Sequence, residues 1–84
     1  MNDPFVIGQC RLMGKNIFQS KKPESESVGS LFEMIMGKSP NGKAQEKLLA
    51  FLETQTKAHG SLNEEVWADL AHVLINSKGF LFLN

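Results

Sequence analysis

Three side chains of the sequence could together carry nucleophilic chemistry. Cys10 is the only cysteine, and His59 and His72 are the only histidines; a thiol beside an imidazole base can form covalent intermediates. No third group that would orient the base is apparent. Cys10 instead falls on an apolar stripe with Val6 and Met13, where a buried cysteine behaves as a small hydrophobic residue. We therefore expect no catalytic residue, and the alternative is a small thiol- or metal-dependent enzyme that uses Cys10 with His59 or His72.

Two other patterns resemble ligand sites. Asp69 and His72 are three residues apart on one predicted helix and could share a metal ion, but two ligands do not make a metal site. Residues 37–43, GKSPNGK, have the glycine spacing and the lysine of a phosphate-binding loop. The next residue is Ala44, so the hydroxyl that would hold magnesium is missing. We expect neither a metal nor a cofactor, and we interpret residues 37–43 as a corner between helices.

The composition limits the class of protein. The 84 residues suffice for one domain, residues 1–84, near the lower size at which a single core is self-sufficient. Nine basic and nine acidic side chains give no net charge, so we expect no nucleic-acid partner. No apolar run is long enough for insertion into a membrane, and no basic start precedes an apolar stretch as in a signal peptide. A single cysteine excludes an internal disulfide, which leaves the compartment unknown.

The last third of the chain is the element around which the others are predicted to pack. Ser61 and Glu64 have the spacing of a capping box, which predicts a helix start at Ser61. Apolar residues then recur at spacings of three and four, the period of an amphipathic helix. They are Val66, Trp67, Leu70, Val73 and Leu74. The predicted helix ends near Lys78, because Gly79 can adopt the left-handed conformation that terminates helices.

Three shorter helices are predicted upstream, of which the first begins at the start of the chain. Asp3 is a suitable N-cap, and Pro4 suits the first helical position, where no amide proton is needed. The apolar stripe of this helix consists of Val6, Cys10, Met13 and Ile17, with Phe5 and Phe18 at its margins. Gly8 and Gly14 are expected to weaken the helix by about 1 kcal/mol each. A polar loop is predicted over residues 20–27.

The second and third helices are predicted from the same period. The second spans residues 24 or 26 to 36, and its stripe consists of Val28, Leu31, Phe32 and Ile35. The third spans residues 39 or 41 to 59, and its stripe consists of Ala44, Leu48, Leu49 and Leu52. No stretch alternates in the manner of a strand. The sequence therefore predicts an all-α fold, a small bundle of about four helices with a short apolar C-terminal tail.

The apolar tail is the candidate partner surface. It consists of Phe80, Leu81, Phe82 and Leu83. So many large apolar side chains are hard to bury completely in a domain of this size, and an exposed patch of them is typical of an interaction site. We therefore predict a non-catalytic helical packing or protein-interaction module. It would contact another protein domain or a second copy of itself through the fourth helix and this tail.

Four stretches of the chain resemble one family of large planctomycete proteins. Residues 1–6, MNDPFV, resemble the segment MNxPFV that begins the last part of those proteins. Residues 31–40, LFEMIMGKSP, resemble the family stretch lYxxxlGRxP, and residues 50–53, AFLE, resemble aFLe. Residues 67–80, WADLAHVLINSKGF, are similar to the closing WxDLxxxLxNSxEF. Proteins of the family carry paired domains of unknown function and often a c-type cytochrome domain.

The resemblance implies a packing role within a longer, exported protein. The chain would be a fragment or a shortened relative, and Met1 would be an internal family position. Three positions depart from the family pattern: Phe32 replaces tyrosine, Lys38 replaces arginine and Gly79 replaces glutamate. The family segment has no catalytic residues, so the resemblance assigns none to this chain.

Overall fold

The computed structural model describes residues 3–76, which form four α-helices and no strand. Helix α1 spans Pro4–Ser20, α2 spans Glu24–Met36, α3 spans Gly42–His59 and α4 spans Glu64–Asn76. The predicted all-α bundle of four helices is confirmed. The predicted helix end at residues 78–79 and the apolar tail at residues 80–83 lie outside the described residues.

Helix α1 begins and ends with the local chemistry that helix termini require. A carboxylate oxygen of Asp3 accepts a hydrogen bond of 2.7 Å from the amide of Phe5, and Pro4 occupies the first position of the helix. Both assignments confirm the sequence-based prediction. At the other end Lys21 adopts a left-handed conformation, with φ of 54°, and its amide donates to the carbonyl of Phe18. That bond satisfies one of the carbonyls that a helix end leaves free.

The connection between α1 and α2 is shorter than predicted. Only residues 21–23 lie between the two helices, because α2 begins at Glu24, the earlier of its two predicted starts, and includes residues 24–27 of the predicted polar loop. Two glutamates in the first turn of α2 are favoured there by the helix dipole. Gly37 ends the helix with φ of 78°, and its amide donates to the carbonyl of Glu33 at 2.8 Å. The predicted glycine cap is confirmed.

Two asparagines begin the last two helices. The side-chain oxygen of Asn41 accepts from the amide of Ala44 at 2.8 Å, which places the start of α3 at the later of its two predicted positions. The side-chain oxygen of Asn63 accepts from the amide of Val66 at 3.1 Å. The predicted capping box at Ser61 is therefore wrong, since α4 begins three residues later, at Glu64. An asparagine at the cap position serves the first free amides equally well.

Helix α4 lies at the centre of the bundle and contacts each of the other three helices. Five of its side chains are buried: Val66, Trp67, Leu70, Ala71 and Leu74. Val73, predicted in the buried stripe, is only half-buried, and Ala71 takes a buried position instead. The predicted role of α4 as the organising helix is confirmed. The predicted contact of α4 with a partner stays a prediction, and the apolar stripe of α4 is buried in the core of the domain.

The stripes of the other helices supply the rest of the core. The buried apolar residues are Cys10 and Ile17 of α1, Val28, Leu31 and Phe32 of α2, and Ala44, Leu48 and Leu52 of α3. Four of the predicted stripe residues pack against this core while remaining partly exposed: Val6, Met13, Ile35 and Leu49. None of the described helices is both long enough and apolar enough to span a membrane.

Helices α1 and α4 share the most extensive interface of the bundle. Near the C-terminal end of α1, Ile17 lies beside Trp67, and further back along α1 Gly14 lies beside Ala68. A Cβ atom added to Gly14 would lie 2.6 Å from the backbone nitrogen of Ala68 and 2.7 Å from the carbonyl oxygen of Glu64. Glycine is therefore what allows the two backbones to approach so closely.

Candidate functional site

Cys10 is placed where a nucleophilic cysteine is disfavoured. It lies on the inner face of α1 with 2% of its surface exposed, and it forms no disulfide. Burial raises the pKa of the Cys10 thiol, because it penalises the charged form. A catalytic thiol needs the opposite, a lowered pKa and access to substrate. The observed environment matches that of a small hydrophobic core residue.

His59 and Asp69 meet between α3 and α4. The Nε2 atom of His59 lies 2.9 Å from Oδ2 of Asp69, and its Nδ1 atom lies 3.7 Å from Oε2 of Glu65. The side-chain amide of Gln55 donates to the same Asp69 oxygen at 3.0 Å. The side chains of His59 and Asp69 are 28% and 41% exposed. The cluster therefore joins the end of α3 to α4 as a partly solvated polar contact of modest energy.

The two patterns that resemble ligand sites, the Asp69 and His72 pair and residues 37–43, can be placed in the described part of the chain. Asp69, considered with His72 as a metal ligand, is engaged by His59 and Gln55. Within residues 3–76, no three histidine, cysteine, aspartate or glutamate side chains are grouped so that they could hold a metal ion. Residues 37–43 form a corner in which Gly37 ends α2 and Asn41 caps α3, as their interpretation as a corner predicts.

An open cleft of about 410 Å³ lies between α1 and the first turns of α4. It is lined by Arg11, Glu64, Glu65, Ala68 and Asp69. Mixed charges at a solvent-facing groove are usually hydrated. Across the described part of the chain, no buried side-chain nitrogen or oxygen lacks a hydrogen-bond partner. The cleft therefore contains no buried side-chain nitrogen or oxygen that lacks a hydrogen-bond partner.

The outer face of α1 carries two of the four large apolar side chains that are exposed among the described residues. Phe5 is 72% exposed and Leu12 is 52% exposed. They are seven positions apart in the sequence, so they lie on the same side of the helix to within about 20°. Gly8 lies between them, and a Cβ atom added there would have nothing within 4 Å. We call this surface, formed by Phe5, Gly8 and Leu12, the outer face of α1.

Sequence reasoning missed the outer face. The stripe of Val6, Cys10 and Ile17 identifies the inner side of α1, and the same period places Phe5 at its margin. The structure places Phe5 on the opposite side of the helix from the core. The available signal was the seven-residue spacing of Phe5 and Leu12, which indicates a second apolar stripe on one helix.

The outer face is also poor in charge. Between Pro4 and Ser20, only Arg11 and Lys15 are charged. Helix α3, of similar length, exposes charges of both signs at Lys43, Glu46, Lys47, Glu53 and Lys57. A surface helix is normally polar and charged on its outer side, whereas depletion of charge together with exposed aromatic residues is typical of the centre of a protein interface.

Comparison with known proteins gives no family model, curated protein or solved structure that matches the chain.

Proposed function

We propose that the chain is a non-catalytic helical module that binds another protein surface through the outer face of α1. The observation that carries the proposal is the exposure of Phe5 and Leu12 on one side of a helix whose other side already supplies the core. Exposed large apolar side chains that are arranged on one face are typical of interaction sites. The apolar tail, Phe80 to Leu83, stays a second candidate for the same role.

The completeness of the core supports this proposal. All four helices contribute to one cluster of buried apolar side chains, and Leu31, Leu48, Leu70 and Leu74 are fully buried in it. The outer face of α1 adds nothing to that cluster. Because burying a leucine or phenylalanine is worth roughly 1.5–3 kcal/mol, a binding partner that covers Phe5 and Leu12 would gain a useful fraction of its affinity from them.

The alternative, an enzyme that uses Cys10 with His59 or His72, has less support. Cys10 is buried, its pKa is raised, and His59 is engaged by Asp69 and Glu65. The resemblance to the planctomycete family also favours a packing role, in which this module would bind within a longer protein.

Hydrophobic-interaction chromatography of the full chain tests whether the outer face is accessible. We compare the wild type with a double variant, Phe5→Gln and Leu12→Gln, since glutamine is a good helix former and leaves α1 intact. The proposal predicts that the double variant elutes clearly earlier than the wild type. The matched control is Met34→Gln on α2, which removes an apolar side chain of 57% exposure outside the face.

The size of the elution shift in the double variant, compared with the shift in Met34→Gln, decides the proposal. Earlier elution that is larger for the double variant than for Met34→Gln supports an accessible apolar face. Unchanged elution of the double variant would mean that another part of the chain covers Phe5 and Leu12. In that case the outer face could not be the binding surface, and the proposal would be wrong.

A further inference from the structure

We propose that Asn41, in the corner between α2 and α3, is a site of spontaneous covalent modification. Its side-chain amide is lost as ammonia, and the products are aspartate and isoaspartate at the same position. Water is the co-reactant. The proposal rests on the identity of Gly42, on the exposure of both residues and on the role of Asn41 as the cap of α3. It is independent of the outer face of α1.

The modification joins two atoms that are near each other in the covalent chain. The backbone nitrogen of Gly42 attacks Cγ of Asn41, and a C–N bond forms. The Gly42 nitrogen gives up its proton and the bond from Cγ to Nδ2 breaks, so that ammonia leaves and a cyclic succinimide remains. Water then opens the ring. Attack of water at Cγ gives aspartate, whereas attack at the main-chain carbonyl carbon gives isoaspartate, and no step transfers electrons to another group.

Gly42 leaves its backbone nitrogen open to this reaction. A side chain after the asparagine would shield that nitrogen, and glycine has none. A Cβ atom added to Gly42 would have nothing within 4 Å, so the space beside the residue is also open. Gly42 is the first residue of α3, and the first amides of a helix have no acceptor within the helix. Since Asn41 and Gly42 are both exposed, water reaches the pair.

Asn63 is the matched comparison within the same chain. Its side-chain oxygen also caps a helix, because it accepts from the amide of Val66 at 3.1 Å. Glu64 follows Asn63, so a long side chain shields the attacking nitrogen there. Of the six asparagines in the sequence, only Asn41 is followed by glycine. Asn63 should therefore persist under conditions that convert Asn41.

The two products differ in their effect on α3. The Asn41 side chain accepts from the amide of Ala44 at 2.8 Å, and its main-chain carbonyl accepts from the amide of Gln45 at 2.9 Å. An aspartate keeps this cap and adds a negative charge, which the helix dipole favours, at a helix without an acidic residue in its first turn. An isoaspartate routes the main chain through Cγ and lengthens it by one carbon. Both acceptors are then displaced, and the start of α3 is destabilised.

Peptide mapping of the full 84-residue chain by mass spectrometry, after incubation at mildly alkaline pH, tests the site. Conversion of Asn41 should exceed conversion of Asn63 at least roughly tenfold, because only the first is followed by a residue without a side chain. Gly42→Ala should slow the conversion of Asn41 by a similar factor while the cap is retained. Equal conversion of Asn41 and Asn63, or an unchanged rate in Gly42→Ala, would overturn the proposal.

The same incubation in urea tests whether the folded corner permits the reaction. Conversion of Asn41 in both the folded and the unfolded chain supports the proposal. Conversion in the unfolded chain alone would show that the cap protects Asn41 in the native protein, and the proposal would be wrong.

Thermal melts test the different effects of the two products. Asn41→Asp reproduces the aspartate product and should melt at the wild-type temperature or slightly above it. The isoaspartate fraction, separated by ion exchange, should melt about 4–8 °C lower, the shift expected for loss of one helix cap in a domain of this size. An isoaspartate fraction that melts with the wild type would overturn the effect assigned to the modification.

Discussion

Gly14 shows how one residue can determine the packing of two helices. The position that its Cβ atom would take is 2.6 Å from the backbone nitrogen of Ala68 and 2.7 Å from the carbonyl oxygen of Glu64. Backbone atoms cannot rotate away as a flexible side chain can. Any larger residue must therefore push α1 away from α4, where the bundle has its most extensive interface.

Gly14→Ala should destabilise the domain even though alanine favours a helix. We expect a loss of about 1–2 kcal/mol in the free energy of unfolding, because overpacking outweighs the gain in helix propensity. Gly8→Ala is the matched control on the same helix, since its Cβ atom meets nothing within 4 Å. It should stabilise the domain by up to about 1 kcal/mol.

Urea unfolding measures the free energy of unfolding of both glycine variants. Equal effects of the two substitutions would contradict the close approach at Gly14. The sequence alone shows both glycines as weak points of one helix, because propensity is a local property. The difference between them depends on a contact with α4, fifty residues further along the chain, which no local pattern contains.

At the scale of the elements, the start of α4 distinguishes a cap at Ser61 from a cap at Asn63. The spacing of Ser61 and Glu64 is that of a capping box, but the structure uses the side chain of Asn63, which accepts from the amide of Val66. Both residue types are good N-caps. Sequence rules predict that the helix exists and place its start within a few residues. Which residue caps the helix depends on the path of the backbone between Gly60 and α4.

Asn63→Ala should cost about 1 kcal/mol of stability, because it leaves the Val66 amide without its side-chain partner. Ser61→Ala, two residues earlier and exposed, should change the stability by less than about 0.5 kcal/mol. Thermal melts followed by circular dichroism compare the two variants. A larger loss for Ser61→Ala would mean that the helix begins at the predicted capping box after all.

At the scale of the whole molecule, the apolar periods predict the fold well and the surface poorly. Spacings of three and four identify four helices and most of the buried positions, because burial in a bundle follows the helical period. The same periodicity does not predict the outer face of α1, because a helix with one clear apolar stripe is expected to be polar and solvated on its other side. The exposure of a side chain depends on how the helices pack together. In the bundle Phe5 is exposed, whereas its neighbour Val6 packs against the core.

The central claim is that the core of the domain is complete without the outer face of α1. The most direct test is the melting temperature of the dilute full chain with Phe5→Gln and Leu12→Gln together. We predict a change within about 6 °C of the wild type, because substitutions of exposed residues rarely alter stability by more than about 0.5 kcal/mol each, or about 1 kcal/mol together. Leu70→Ala, at a fully buried position of α4, should lower the melting temperature by at least about 8 °C. A double variant that melts as early as Leu70→Ala would show that Phe5 and Leu12 belong to the core, and it would contradict the account.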